Sequence, residues 1–226
     1  MSVDLRVDWC SYQAAKYAVE HWHYSQRMPA GKIAKFGVWE DARFVGAVLF
    51  AWGTSPYIGD PYKLKMTEVC ELVRVALMSH VSPVSQVVSV AVKMLREQSS
   101  GLRLIVSYAD PKRNHNGAIY QAMNWFYVGK PNGTRKWRAN GQHNRKFGTS
   151  KKKAISLLGG NVVFEYDEPK HKYLYPLDRA MRKQIEPLRK PYPKRETCGP
   201  SVEGDTLPQA ESSVRSAGAA LNSDLQ

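Results

Sequence analysis

The sequence predicts an α/β fold, one mixed central sheet with helices packed on it. Two observations lead there. Along residues 1–129 the order reads helix, hairpin, strand, helix, strand, helix, strand. The strands that follow helices are short and apolar, as central strands are when both faces are covered.

Each element has a local reason. Ser11 can cap a helix running to about Trp22, with Tyr12, Ala15, Ala18 and Val19 on its apolar side. Residues 35–39 and 43–50 are β-prone runs separated by Glu40, Asp41 and Ala42, so they read as a hairpin. Residues 54–65 hold Gly, Pro and Tyr and read as a loop, and residues 70–77 alternate as a strand. Ser82 then Pro83 reads as an N-cap followed by proline at the first helical position. Val84, Val87, Val88, Ala91, Val92 and Leu95 form a stripe at helical spacing. Residues 102–108 form a strand ended by Asp110 and Pro111. Asn114 or Asn116 caps a helix to about Asn124, and residues 125–128 form another strand. Beyond Gly129 the pattern weakens, with a late strand at 172–177 and a helix capped by Asp178.

Composition narrows the class. The chain has 226 residues, 33 Lys plus Arg and 20 Asp plus Glu, a formal net charge of +13. No apolar run approaches the ~18 residues of a membrane span. Met1 to Arg6 lacks a signal-peptide pattern. Three scattered cysteines (Cys10, Cys70, Cys198) build neither a disulfide framework nor a Cys-based zinc site. These features predict an intracellular protein with no membrane partner.

The charge is uneven. Residues 1–129 carry a net +4, residues 130–195 a net +13 and residues 196–226 a net −4. The expected organisation is a nearly neutral body (1–129), a strongly basic extension packed on it (130–195) and a disordered acidic tail (196–226). The basic stretch interleaves Trp137, Phe147, Phe164, Tyr166, Tyr173, Tyr175 and Tyr192 with its cations. Cations that neutralise phosphates beside rings that stack on bases suit a nucleic-acid surface. A solvated face is the plainer reading of such a run.

Two stretches, Glu71 to Leu77 with the helix after it and Asn116 to Gly129, resemble the two central motifs of the GCN5-related acetyltransferase fold. Six segments in order carry a closer likeness. They are His21-Trp-His-Tyr-Ser25, Phe36-Gly-Val-Trp39, Glu71-Leu-Val-Arg-Val75, Ser107-Tyr-Ala-Asp-Pro111, Ile119-Tyr-Gln-Ala122 with Asn124-Trp125, and Lys170-His-Lys-Tyr-Leu-Tyr-Pro-Leu177. Together they resemble the Mom family of Mu-like phages over about residues 3 to 195. The resemblance implies conversion of adenine in double-stranded DNA to an N6-carbamoylmethyl form, protection from host restriction, and a place in the cytoplasm of an infected bacterium. A homodimer is compatible with it. One departure matters. The Gly-rich turn that lets amides approach a cofactor pyrophosphate is replaced by residues 78–85, which hold no glycine and no arginine. Ser82 and Ser85 remain as anion ligands. The expected donor is therefore an activated acyl or glycyl carrier other than acetyl-CoA.

Candidate site residues follow, each with its alternative. Asp110 ends a strand at the sheet edge where α/β sites form; it accepts a proton from the adenine amine, or it merely closes an Asp-Pro turn. Ser107 lies three residues before it. Tyr120 is a general acid by the acetyltransferase analogy, or a packing tyrosine. Glu71 and Arg74 are charges on an apolar strand, in the site or paired structurally. His21, His23 and Tyr24 end the first helix. His21 and His23 with Asp110 would make a two-His, one-carboxylate Fe(II) site if the helix has already ended. Trp39, Trp52, Tyr57 and Tyr62 are available walls for an extruded base. Lys112, Arg113, His115, Lys136, Arg138, Arg145, Lys146, Lys151, Lys152 and Lys153 are the expected DNA contacts. Against the enzyme stand a non-catalytic DNA-binding protein, which leaves Glu71, Arg74, Asp110 and Tyr120 without roles, and an acyltransferase for non-DNA amines, which leaves the basic stretch unexplained.

Overall fold

A computed structural model of the chain describes residues 3–113, 115–131, 135–139, 142–143, 151–158, 162–166 and 169–194. Asn114, Arg145, Lys146 and the expected tail at 196–226 lie outside these. The chain opens with β1 (Leu5–Trp9), a strand the sequence reading did not include. It lies at the sheet edge with a single buried residue, Val7, so its apolar signal is weak. α1 (Tyr12–Trp22) starts as expected, because the Ser11 hydroxyl accepts the Ala14 N–H at 3.1 Å. β2 (Lys32–Glu40) and β3 (Arg43–Trp52) form the hairpin. Its two loop residues, Asp41 and Ala42, both take positive φ, 48° and 65°, which matches the twist of a tight two-residue turn.

β4 (Val69–Leu77) leads into α2 (Val84–Gln98), and β5 (Leu104–Ala109) returns parallel to β4. The cap of α2 differs from expectation. Pro83, not Ser82, is the N-cap, and no side chain caps the helix, because the Ser82 amide is already turned onto Glu40. α3 (Ala118–Ala122) is shorter than expected. Its N-cap Gly117 takes φ 82°, and a Cβ there would sit 2.4 Å from the Tyr173 ring. Asn116 contributes by accepting the Ala118 N–H at 3.2 Å. β6 (Phe126–Gly129) follows.

The remaining described elements are β7 (Arg135–Ala139), β8 (Gln142–His143), α4 (Lys151–Leu158), β9 (Val162–Tyr166), β10 (His171–Pro176) and α5 (Arg179–Ile185). β8, β7 and β9 pair as a separate three-stranded sheet. Asp178 caps α5 as read, accepting the Met181 N–H at 2.6 Å.

The main sheet runs β1-β2-β3-β4-β5-β10-β6, antiparallel throughout except for β4 beside β5. β10 comes from the basic stretch yet lies between β5 and β6, so the sheet crosses the boundary drawn at residue 129. Residues 1–194 form one compact unit. Side chains alternate along β3: Val48 and Phe50 face α2, while Ala47 and Leu49 face α1. α2 buries Val87, Val88, Ala91, Val92 and Leu95 on one face of the sheet. On the other face α1 buries Ala15, Ala18 and Val19, and α5 buries Met181 and Ile185 against Leu104, Val106 and Leu174. Each buried Val, Leu, Ile or Met among these contributes about 1.5–3 kcal/mol, and each Ala less. No helix among the described residues is long and apolar enough to cross a membrane.

Candidate active site

Parallel pairing joins Val69–Leu72 to Leu104–Ser107 and then stops, while β4 continues to Leu77. The strands therefore part beyond Leu72 and Ser107, opening the sheet at the C-terminal ends of this parallel pair. Such ends are where α/β folds collect ligands. A register shift between Leu49 and Phe50 leaves Val73 as an extra residue in β4. That bulge turns the strand at the parting and re-aims Arg74.

One side of the parting holds a chain of hydroxyls. Ser107 Oγ lies 2.9 Å from the Leu72 carbonyl and 2.7 Å from Tyr120 Oη. A carbonyl only accepts and Ser107 has one proton. With Tyr120 neutral, Ser107 therefore donates to Leu72 and accepts a hydrogen bond from the Tyr120 hydroxyl. Burial is the main cause that pushes Tyr120 up to about 12, and the Ser107 hydroxyl opposes it. Tyr120 thus holds its proton at neutral pH. Its ring is fixed between Trp125 at 5.0 Å and Tyr173 at 4.9 Å.

Glu71 lies on the same strand, next to Leu72 and pointing to the opposite face by strand alternation. Burial raises its pKa above the usual carboxylate range, against the Thr54 hydroxyl and the charges of Arg74, Lys170 and Lys172. A carboxyl held up this way accepts a proton more readily than an exposed one. Glu71 also acts electrostatically on Tyr120 and on Tyr108, which burial moves up to about 12. Lys172, lowered by burial, sits 5.1 Å over the Tyr62 ring and 5.8 Å over the Tyr108 ring.

Arg74 donates from Nη1 to the Val73 carbonyl at 2.6 Å, and from Nε and Nη2 to the Arg27 carbonyl at 3.3 Å. Burial lowers its pKa from the usual guanidinium value, and Tyr24 and Glu71 oppose that by favouring its charge. His23 lies beyond it. The Ser25 amide donates to His23 Nδ1 at 3.1 Å, so that nitrogen is unprotonated and Nε2 carries the proton. Burial first, then Arg74 and His115, lower His23 to about 4. It is neutral at physiological pH. Tyr24 packs on His23 at 4.3 Å and is half-exposed, with the Arg113 guanidinium 5.3 Å from its ring and His115 edge-on at 5.9 Å.

The parting thus gathers a carboxyl whose pKa is raised, a protonated phenol hydrogen-bonded to a serine, and a cationic, aromatic rim. The sequence from residue 4 to 194 matches the Mom protein family. The chain belongs to that family. A relative, "Methylcarbamoylase mom" of Escherichia phage Mu, is 26% identical over 137 residues, which span 59% of this chain and 57% of that protein. Among solved structures, an N-acyl amino acid synthase from uncultured soil microbes is 10% identical, with TM-score 0.45, over 81% of this chain and 95% of that one. An N-acetyltransferase from Staphylococcus aureus Mu50 is 12% identical, with TM-score 0.44, over 78% of this chain and 99% of that one.

In this Mom-family chain the expected residues divide. Glu71, Arg74, Ser107, Tyr120, His23 and Tyr24 gather around the parting. Asp110 is placed at its rim, but its carboxylate is engaged: Lys170 Nζ lies at 3.0 Å and the Lys112 amide at 3.1 Å. Its carbonyl accepts the Arg113 and His115 amides, so Asp110 closes the turn and ties it to Lys170. The Fe(II) set is not assembled. His21 is drawn back along α1, donating Nδ1–H to the Tyr17 carbonyl at 2.9 Å and stacking on the Tyr17 ring. Among the described residues no three His, Cys, Asp or Glu form a metal-binding group. Ser82 is spent on Glu40, and Ser85 caps nothing. Trp39 is not a base wall. It lies on β2 towards the far edge, under the Arg6 guanidinium at 4.4 Å. Tyr62 is buried beneath Lys172 rather than lining an opening, whereas Tyr57 is 71% exposed. Lys112, Arg113 and His115 are exposed next to the parting. Lys136 and Arg138 fall on β7, and Lys151, Lys152 and Lys153 open α4, with Lys152 exposed.

Sequence reasoning missed Tyr108, Lys172 and Thr54. Lys172 carried a signal, since it alternates with buried His171 and Tyr173 on a strand. Thr54 had none, because it meets Glu71 only through the fold.

Proposed function

We propose that this protein is a phage DNA-modification transferase acting on the N6 amine of adenine in double-stranded DNA. The observation that supports the reading most is the placing of Glu71 and the Ser107–Tyr120 pair at the parting of β4 and β5. The family and its phage Mu relative support the substrate class. The base leaves the duplex to reach a recessed site, at a cost of a few kcal/mol. For a carbamoylmethyl product the N6 amine attacks the methylene carbon of a carbamoylmethyl group, at the carbon that bears the donor's leaving group. One N–C bond forms, the bond to the leaving group breaks, Glu71 takes the amine proton, and Tyr120 turns its phenol proton from Ser107 to the departing group, recovering a proton from solvent once the product has left. Neutral His23 and Tyr24 line the approach, and Arg74 offsets charge developing on the donor. Lys112 and Arg113 hold the phosphates beside the extruded base. The product in this reading is the N6-carbamoylmethyl base, and its benefit is resistance to host restriction.

The test is expression beside a plasmid, digestion of its DNA to nucleosides, and mass spectrometry. A new adenine derivative is expected, absent with Glu71→Gln and strongly reduced with Tyr120→Phe. Unmodified adenine in the presence of the wild-type protein overturns the reading. It favours a DNA-binding protein without chemistry.

A further inference from the structure

The turn between β4 and α2 lies at the C-terminal edge of the sheet, ahead of a helix of 15 residues. In α/β folds the free amides of such a turn commonly cradle phosphate groups. Here two of them, the amides of Val81 and Ser82, already hold an anion. Glu40, at the end of β2, is 3% exposed and reaches across the fold to this turn. The Val81 amide donates to its Oε1 and Oε2 at 3.1 and 2.8 Å, and the Ser82 amide donates to Oε1 at 2.7 Å. Pro83 has no N–H to offer. The carbonyl side of the turn is braced as well: His80 Nδ1–H donates to the Ser82 carbonyl at 2.9 Å and Arg43 Nη2 to the Ser79 carbonyl at 2.7 Å. Between residues 78 and 92 there is no Lys or Arg to receive a second anion.

We infer that Glu40 is an internal occupant of this anion cradle, and that the group donor is a carrier not gripped through a diphosphate at the start of α2. The carboxylate does for the two amides what a phosphate oxygen does elsewhere. A diphosphate arriving there would meet a like charge, and displacing Glu40 would leave a buried carboxylate without partners, which is strongly unfavourable. Coenzyme A and its thioesters are thereby excluded from the grip expected of this turn. The consequence for the donor rests on the transferase reading above. The occupancy of the cradle does not.

Binding measured without DNA separates the two. Isothermal titration of the whole protein with coenzyme A, acetyl-CoA and inorganic pyrophosphate, at physiological ionic strength, is compared with Glu40→Ala and Glu40→Gln. The wild-type protein is expected to show no saturable binding of coenzyme A or acetyl-CoA up to about 1 mM. Glu40→Ala is expected to bind pyrophosphate at least about tenfold more tightly than wild type, with affinity falling as salt rises. Glu40→Gln keeps the shape and one acceptor oxygen, and serves if the alanine variant does not fold; a smaller gain of the same sign is expected. Saturable coenzyme A binding by the wild type, competed by pyrophosphate, overturns the inference and leaves the DNA reading intact. A folded Glu40→Ala, with a cooperative melt, that gains no pyrophosphate affinity also overturns it. Absence of modified adenine in plasmid DNA defeats the transferase reading and leaves the binding result standing.

Discussion

Two turns flank the parting of β4 and β5, and they are built in opposite ways. The turn after β4 is closed by protein: Glu40 fills its amides. The turn after β5, residues 110–117, uses its own Asp110 to fold and leaves Lys112, Arg113 and His115 exposed. One therefore presents satisfied amides and a buried negative charge, the other unneutralised positive charge. In a fold where either could take a phosphate, the second is the one that presents exposed positive charge, and the proposed phosphate contacts fall there. Glu71 and Tyr120 lie at the parting between them.

The comparison can be broken at several points. Chemistry placed between the turns makes Glu71→Gln the most damaging change, with a loss of roughly 10²–10⁴-fold in modification rate while duplex binding persists; equal loss of binding would move Glu71 out of the chemistry. The pH profile should agree. Glu71 must be ionised to act and its pKa is raised, so activity should climb through a limb above the usual carboxylate range. It should decline only near 12, where Tyr120 ionises. His23, lowered to about 4, is already neutral there, so His23→Gln should leave the acid limb in place.

The open turn depends on Gly117 for both its φ and its clearance from Tyr173. Gly117→Ala should destabilise the protein by about 1–3 kcal/mol in denaturant melts; an unchanged midpoint would mean that the Tyr173 ring yields freely. Lys112→Ala with Arg113→Ala should weaken binding to any duplex and reduce the salt slope by about 2. A change confined to one sequence would indicate base reading instead. The smallest effect belongs to Lys170→Ala. Its pair with Asp110 is partly exposed, so thermal melts should shift by no more than about 0.2–1 kcal/mol.

What could be read from the sequence was what is local. Ser11 and Asp178 cap their helices within three residues, and the hairpin turns within two, so neighbours in the chain reveal them. Tyr120 was singled out through the acetyltransferase resemblance and Glu71 as a charge on an apolar strand, and both lie beside the parting. Glu40 looked like a hairpin residue because its partners lie about forty residues away. His21 and His23 looked like a pair because spacing does not show that His21 bonds back to its own helix. Asp110 looked free because Lys170 reaches it from sixty residues on.

The position of β10 has a consequence for how the chain reaches its native state. β5 and β6 are only 16 residues apart along the chain, yet they never touch, because a strand that begins at His171 must slide between them and pair with both. On the ribosome, β5 emerges long before its neighbour and waits with an unpaired edge. Closing that loop late is slow, and edges left open in the interval invite pairing with other chains. Cutting the chain at residue 130 would therefore not yield a body stripped of a DNA-binding appendage. It would yield a sheet arrested before its last insertion, and such a fragment should aggregate rather than merely release DNA.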